Sequence, residues 1–178
     1  MNCPGKFAVI VAFLILAIWG CSAMIEQSLS VKDDVNRYAD YLAEMEPYLV
    51  AHFPKQIADK SNARVVFSPG ALQSNMFLQL RLQLDAASIA NIQELAQSKA
   101  IAQYNGGSMF DHYNDDQEDN FPTTGFRTDE SDNENFGAFP AHYTLYVLSA
   151  KRPRMDWETT GIAISTENNS VIYWAEDD

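Results

Sequence analysis

The sequence predicts an α+β fold: a two-layer sandwich whose mainly antiparallel sheet of about five strands carries two helices on one face, with a long acidic loop. Three observations lead there. Asn75 to Asp85 alternates strictly, with Met76, Leu78, Leu80, Leu82 and Leu84 set against Phe77, Gln79, Arg81, Gln83 and Asp85. That period of two predicts a strand with one face in a core and one in water. Upstream, Val31, Val35, Tyr38, Leu42, Met45 and Leu49 recur at steps of four and three, the spacing of one helix face. From Tyr104 to Pro140 all periodicity disappears, and nine acids face the single base Arg127.

In chain order, Ser28 to Phe53 reads as one long helix. Ser30 is placed as its N-cap, and Asp33 and Asp34 stand in the first turn, where the helix dipole favours them. Pro47 interrupts the pattern as a kink or a division, and Pro54 stops it. Ala63 to Ser68 reads as a strand, turning at Pro69-Gly70 to pair antiparallel with the alternating strand. Asp85 caps a second helix from Ala86 to about Gln103, with an apolar stripe of Ile89, Ile92, Leu95 and Ala96, and Lys99 at its edge. After the acidic loop, His142 to Ala150 is apolar on both faces, as in a central strand. Lys151-Arg152-Pro153-Arg154 follows as a basic turn. Thr160 to Thr166 and Val171 to Ala175 complete the sheet. Asn168-Asn169 between them suggests a type I′ hairpin, because Asn tolerates positive φ.

The N-terminus carries an address. Behind Lys6, Phe7 to Trp19 is a run of 13 apolar residues, a length that fits a signal-peptide core and is short for a membrane span of roughly 20. The run ends in Ile18-Trp19-Gly20-Cys21-Ser22, which resembles the lipobox of bacterial lipoprotein precursors. Gly20 and Cys21 match its small residue and its cysteine, while Trp19 stands where a small residue is usual. The resemblance covers only about the first 22 residues. It implies cleavage before Cys21, a diacylglycerol on the Cys21 thiol and an exported domain facing the periplasm or cell exterior. Acyl chains contribute about 0.8 kcal/mol per buried CH₂, so two or three anchor stably. Two other readings stay open. Phe7 to Ile25, uncharged throughout, would serve as an uncleaved anchor, and Cys21-Ser22-Ala23 loosely fits an ordinary signal-peptidase site. All three readings put the domain outside the cytoplasm.

The organisation that follows is a signal peptide over 1–20, a helix–hairpin–helix half over 21–103, the acidic loop over 104–140 and a three-stranded remainder of the same domain over 141–178. His52-Phe53-Pro54, the stretch from Phe67 to Gln73 and the closing Val171 to Glu176 resemble uncharacterised putative bacterial lipoproteins. That resemblance implies no activity and no site residues.

Cysteine and charge limit the function. Cys3 and Cys21 are the chain's two cysteines, so the processed domain would hold neither a free thiol nor a disulfide. The chain's formal net charge is −12, and losing Lys6, the one charged residue among the first 20, makes it −13. Such acidity disfavours nucleic acid, which binds basic patches.

Candidate sites are few. Asp111, Asn114, Asp116 and Glu118 form a dense oxygen-rich run that suits calcium in ligand type. Counted from Asn114, however, the EF-hand's sixth and twelfth positions hold Asp119 and Gly125, so the motif is absent and a solvated loop is the plainer reading. Arg152, Arg154 and Trp157 form a basic and aromatic group suited to an anionic partner, with a solvated turn as its plain counterpart. His52, His112 and His142 share no zinc-binding spacing. Asp156 and Glu158 resemble a glycosidase pair only as any two acids in an acidic chain do. No nucleophile elbow or phosphate loop is written, so no catalytic residue and no cofactor are assigned. The expectation is a non-enzymatic, membrane-anchored domain that binds or scaffolds an envelope protein or ligand; a flat or convex face exposing Trp157 and Trp174 would favour it, and a concave pocket gathering His52, His142 or several carboxylates would favour an enzyme. An envelope hydrolase built from dispersed acids and histidines, and a small-molecule carrier, are the alternatives.

Overall fold

Alternating strands need partners, and six of them meet here. The structure, a computed structural model, describes residues 32–70, 76–107, 139–151 and 158–177. Its strands are β1 (Ala63–Pro69), β2 (Met76–Gln83), β3 (Ala102–Asn105), β4 (Thr144–Lys151), β5 (Glu158–Ser165) and β6 (Ser170–Asp177). Its α-helices are α1 (Tyr38–Glu44) and α2 (Ala86–Lys99). The strands form one open sheet in the order β1-β2-β6-β5-β4-β3, with every neighbouring pair antiparallel. The first hairpin is the one expected. From β2 the chain crosses through α2 to the far edge at β3, and a meander of β4, β5 and β6 returns to pair with β2. The C-terminal strand therefore joins the two halves of the sheet.

Six strands replace the expected five, because α2 is shorter than its pattern predicts. Ala100 is already extended (φ −65°, ψ 133°), Ile101 N donates to Val147 O at 2.8 Å, and Ala102–Asn105 pairs with β4. Tyr104 and Asn105 thus belong to an edge strand rather than to the loop beginning at 104. The α2 start is as expected: the Asp85 carboxylate accepts from Ser88 N at 2.9 Å and from Ser88 Oγ at 2.7 Å. Asp85→Ala is expected to destabilise the domain by removing this cap, read as a lower urea midpoint at unchanged slope.

The long helix over 28–53 does not form across the described residues. Lys32 is extended and exchanges two 2.8 Å backbone bonds with Phe67, adding a bridge to β1's outer edge. Helical structure begins with a 3-10 turn at Val35–Arg37, capped by Asp34, whose side chain accepts from Asn36 N; Ser30 lies outside the described residues. α1 ends at Glu44, with Met45 extended (φ −86°, ψ 154°) two residues before Pro47. Pro47 supplies no N–H and disfavours helix in the residue before it, so the chain leaves the helix ahead of it. Tyr38, Met45 and Leu49 still share a core, because the chain after α1 lies over the sheet in turns.

That core covers one sheet face. Tyr38 and Tyr41 of α1 and Ile89 and Ala96 of α2 pack with Val65, Phe67, Leu78, Leu80, Tyr146, Ile162, Val171 and Tyr173. Tyr41 stacks on Phe67 at 4.8 Å between ring centroids. Leu95, expected in the α2 stripe, is instead 51% exposed. The Tyr146 hydroxyl accepts from Gln93 and Gln97 Nε2, each at 3.3 Å, which gives the buried phenol polar partners between α2 and the sheet.

The opposite face is also buried. Leu145, Val147, Ala163, Ile172 and Trp174 form a second cluster with Phe139 and Tyr143. The second face of β2 follows it: Phe77 and Gln79, expected in water, are 1% and 4% exposed. The β5–β6 connection is four residues, Thr166 to Asn169, between paired Ser165 and Ser170. It is not a two-residue type I′ turn; Asn169 alone among its residues takes positive φ (50°).

Candidate functional site

The chain leaving α1 carries the chemistry. Tyr38 OH donates to Pro54 O at 2.7 Å, tying the far end of this segment back to the helix that precedes it. Between them, His52 rests on the helix-side face of the sheet. Its Nε2 lies 3.1 Å from both Gly161 O and Trp174 O. A carbonyl oxygen can only accept, so Nε2 carries the hydrogen and the neutral ring is the Nε2–H tautomer. The ring lies beside Phe53 at 4.7 Å and Tyr173 at 6.2 Å between centroids. Burial away from water drives its pKa down from 6.5 to about 4; the backbone carbonyls of Gly161, Trp174 and Leu49 pull the other way, and Lys99 adds a small repulsion. His52 is thus a neutral donor committed to backbone, a structural use of an imidazole.

At the end of the sheet a second polar group forms around Tyr48. Lys151 and Glu158 are paired across β4 and β5, with Nζ 3.6 Å from Oε2. The Lys151 ammonium stands 4.6 Å from the centroid of the Tyr48 ring, a cation–π arrangement. Desolvation first, then a hydrogen bond to Glu158 and the charges of Glu158, Asp177 and Glu46, push the Tyr48 hydroxyl up to about 12. Asp177 lies opposite Glu158 on β6. Lys151 is therefore the last residue of a strand engaged with a carboxylate, not part of a free basic turn. Glu158 is held by that ion pair, while Asp156, its suggested catalytic companion, lies outside the described residues.

His142 does not open β4; it sits in the turn before it. Its ring lies 4.8 Å from Tyr143's, and its Nε2 accepts from Asn168 Nδ2 at 2.9 Å. His52 packs with the helix-side cluster and His142 beside Tyr143 of the opposite one, so the two imidazoles do not converge. Trp174, whose exposure would favour a binding face, is fully buried, with its ring 6.0 Å from Phe139's. Cys21, the calcium candidates Asp111, Asn114, Asp116 and Glu118, the binding candidates Arg152, Arg154 and Trp157, and His112 all lie outside the described residues. Among the described residues no group of three or more His, Cys, Asp or Glu side chains could hold a metal ion, and no helix is long and apolar enough to cross a membrane.

Tyr48, at the centre of this arrangement, is a residue that sequence reasoning passed over, as are the acids Glu46 and Asp177 near it. An aromatic following Pro47 was the available signal, but nothing local says that a lysine more than 100 positions away reaches it. Chemically, the end of the sheet provides an ion pair beside a half-exposed phenol, and His52 is separately committed to backbone carbonyls. No protein-family model matches this chain, and neither a curated protein nor a solved structure shows significant similarity to it.

Proposed function

We propose that this chain is an exported bacterial lipoprotein, anchored through acyl groups on Cys21, whose single α+β domain acts at the cell envelope by binding a protein or ligand rather than by catalysis. The observation that carries the reading is the apolar run Phe7 to Trp19 ending at Gly20-Cys21, the form of a signal core followed by a lipid-acceptor thiol. On this reading the sheet and its two helices are a two-layer sandwich standing on the outer side of a membrane. The acidic stretch after β3 forms a long loop, and its negative charge keeps the domain from adhering to anionic lipid beyond its own anchor. The binding role is supported by the state of the titratable side chains: His52 is spent on two carbonyls and Glu158 is paired with Lys151. Both side chains are already engaged with groups of the protein itself.

The test is intact-mass analysis of the protein from its membrane fraction, beside Cys21→Ser. The wild type is expected to begin at Cys21 with added acyl mass, and the variant to lack it. If both retain the full N-terminus, the lipid reading fails and Phe7 to Ile25 becomes an uncleaved anchor.

A further inference from the structure

The chain has one Asn-Gly step, Asn105-Gly106, where β3 ends. Asn-Gly is chemically fragile because glycine has no side chain to shield its backbone nitrogen, which can attack the preceding carboxamide. The structure holds that nitrogen out of reaction. Gly106 N donates to Tyr143 O at 2.8 Å, and the next amide, Gly107 N, donates to Phe139 O at 2.6 Å. Tyr143 N in turn donates to Pro140 O at 3.0 Å, so residues 139–143 form a clasp around the two glycines. The clasp is anchored by packing: Phe139 lies against Trp174, and Tyr143 OH donates to the buried Ser170 Oγ at 3.0 Å. The fit is close. A Cβ on Gly106 would overlap Pro140 O and stand 2.9 Å from Pro140 C and 3.0 Å from Phe139 O. The Asn105 side chain, in contrast, is exposed.

We propose that Asn105 is a conformationally guarded modification site, converted to aspartate or isoaspartate only when the Gly106–Tyr143 clasp opens. The Gly106 nitrogen loses its proton to solvent base and forms a bond to Asn105 Cγ. The Cγ–Nδ2 bond breaks, and the side-chain nitrogen leaves as ammonia. The resulting succinimide takes up one water at either carbonyl, giving aspartate or isoaspartate. The net change is water consumed and ammonia released, with no redox step. While Gly106 N–H donates to Tyr143 O, its proton is held, so the rate follows local opening. The isoaspartate product adds a methylene to the backbone beside Gly106. That longer link displaces Gly106 N from Tyr143 O and Gly107 N from Phe139 O, so conversion weakens the clasp and leaves one added negative charge.

The test follows the peptide containing Asn105 by mass, in mildly alkaline buffer, for three samples: the folded full-length chain in mild detergent, the same chain in urea and a free peptide with the sequence of residues 102–110. Each conversion adds one mass unit and separates into two product peaks. The folded chain is expected to convert at least about tenfold more slowly than the peptide, a factor equivalent to about 1.4 kcal/mol of opening free energy. The chain in urea is expected to match the peptide, and Asn105→Gln to abolish the product. Equal rates in folded chain and peptide would overturn the guard, and absence of product in urea would overturn the site.

Discussion

Gly161→Ala is expected to lower the stability of this domain by about 3 kcal/mol or more, the upper end of what overpacking a core usually costs. Gly161 sits in β5 between Val147 of β4 and Trp174 of β6. An added Cβ would overlap Cζ2 and Cη2 of Trp174 and stand 2.5 Å from Tyr146 O. The ring cannot swing aside, because Trp174 is fully buried against Phe139, and the carbonyl belongs to the adjoining strand. Replacing glycine also restricts the unfolded chain, which favours folding by roughly 0.4–1 kcal/mol. The clash is larger, so the sign is destabilising. Urea denaturation reads the result as a lowered midpoint. Adding Trp174→Leu to Gly161→Ala is expected to relieve the ring overlap and leave the carbonyl contact, so rescue is partial. A loss below about 1 kcal/mol would mean that the strands separate easily at this point.

Acidification should unfold the domain through His52. Its folded pKa is about 4 against an ordinary 6.5, so the unfolded chain takes up the proton first. The stability this group contributes is complete above about pH 6.5, falls as the pH drops and is fully lost near pH 4, a total of about 3 kcal/mol. Protonation must charge a ring enclosed by Phe53, Tyr173 and the sheet, with Lys99 as a nearby like charge. His52→Gln keeps an N–H donor for Gly161 O and Trp174 O but does not titrate. Urea midpoints of both proteins between pH 7 and pH 4 are the measurement. The wild-type curve is expected to fall more steeply than the variant's by that amount. Parallel curves would show that water reaches the ring and that its charge is not penalised.

Much of the fold was legible in the sequence because its signals are local. The alternation of residues 76–83 is β2, Asp85 is the cap of α2, and the β1–β2 pairing follows from two strands joined by a short connection. The helix over 28–53 was misread because steps of three and four describe any segment that repeatedly returns to one apolar surface. Tyr38 and Tyr41 do so on α1, while Met45, Leu49 and Phe53 do so from turns beyond it. Strand β3 was missed because Ala102 and Gln103 follow closely on α2 while Tyr104 and Asn105 open the polar stretch, so only pairing with β4 makes the four a strand.

The candidate site was less legible still. The sequence alone determined the apolar N-terminal run with its Gly20-Cys21 end, the acidity and the cap at Asp85, since each depends on neighbours along the chain. Tertiary structure alone decided that β6 sits between β2 and β5, that Trp174 is buried where Gly161 leaves room, that Tyr48 meets Lys151 and that His52 is spent on carbonyls of β5 and β6. The physical reason is distance along the chain. Burial and hydrogen bonding act between surfaces brought together by folding, and a sheet whose last strand joins its two halves sets those surfaces only when the whole chain is in place.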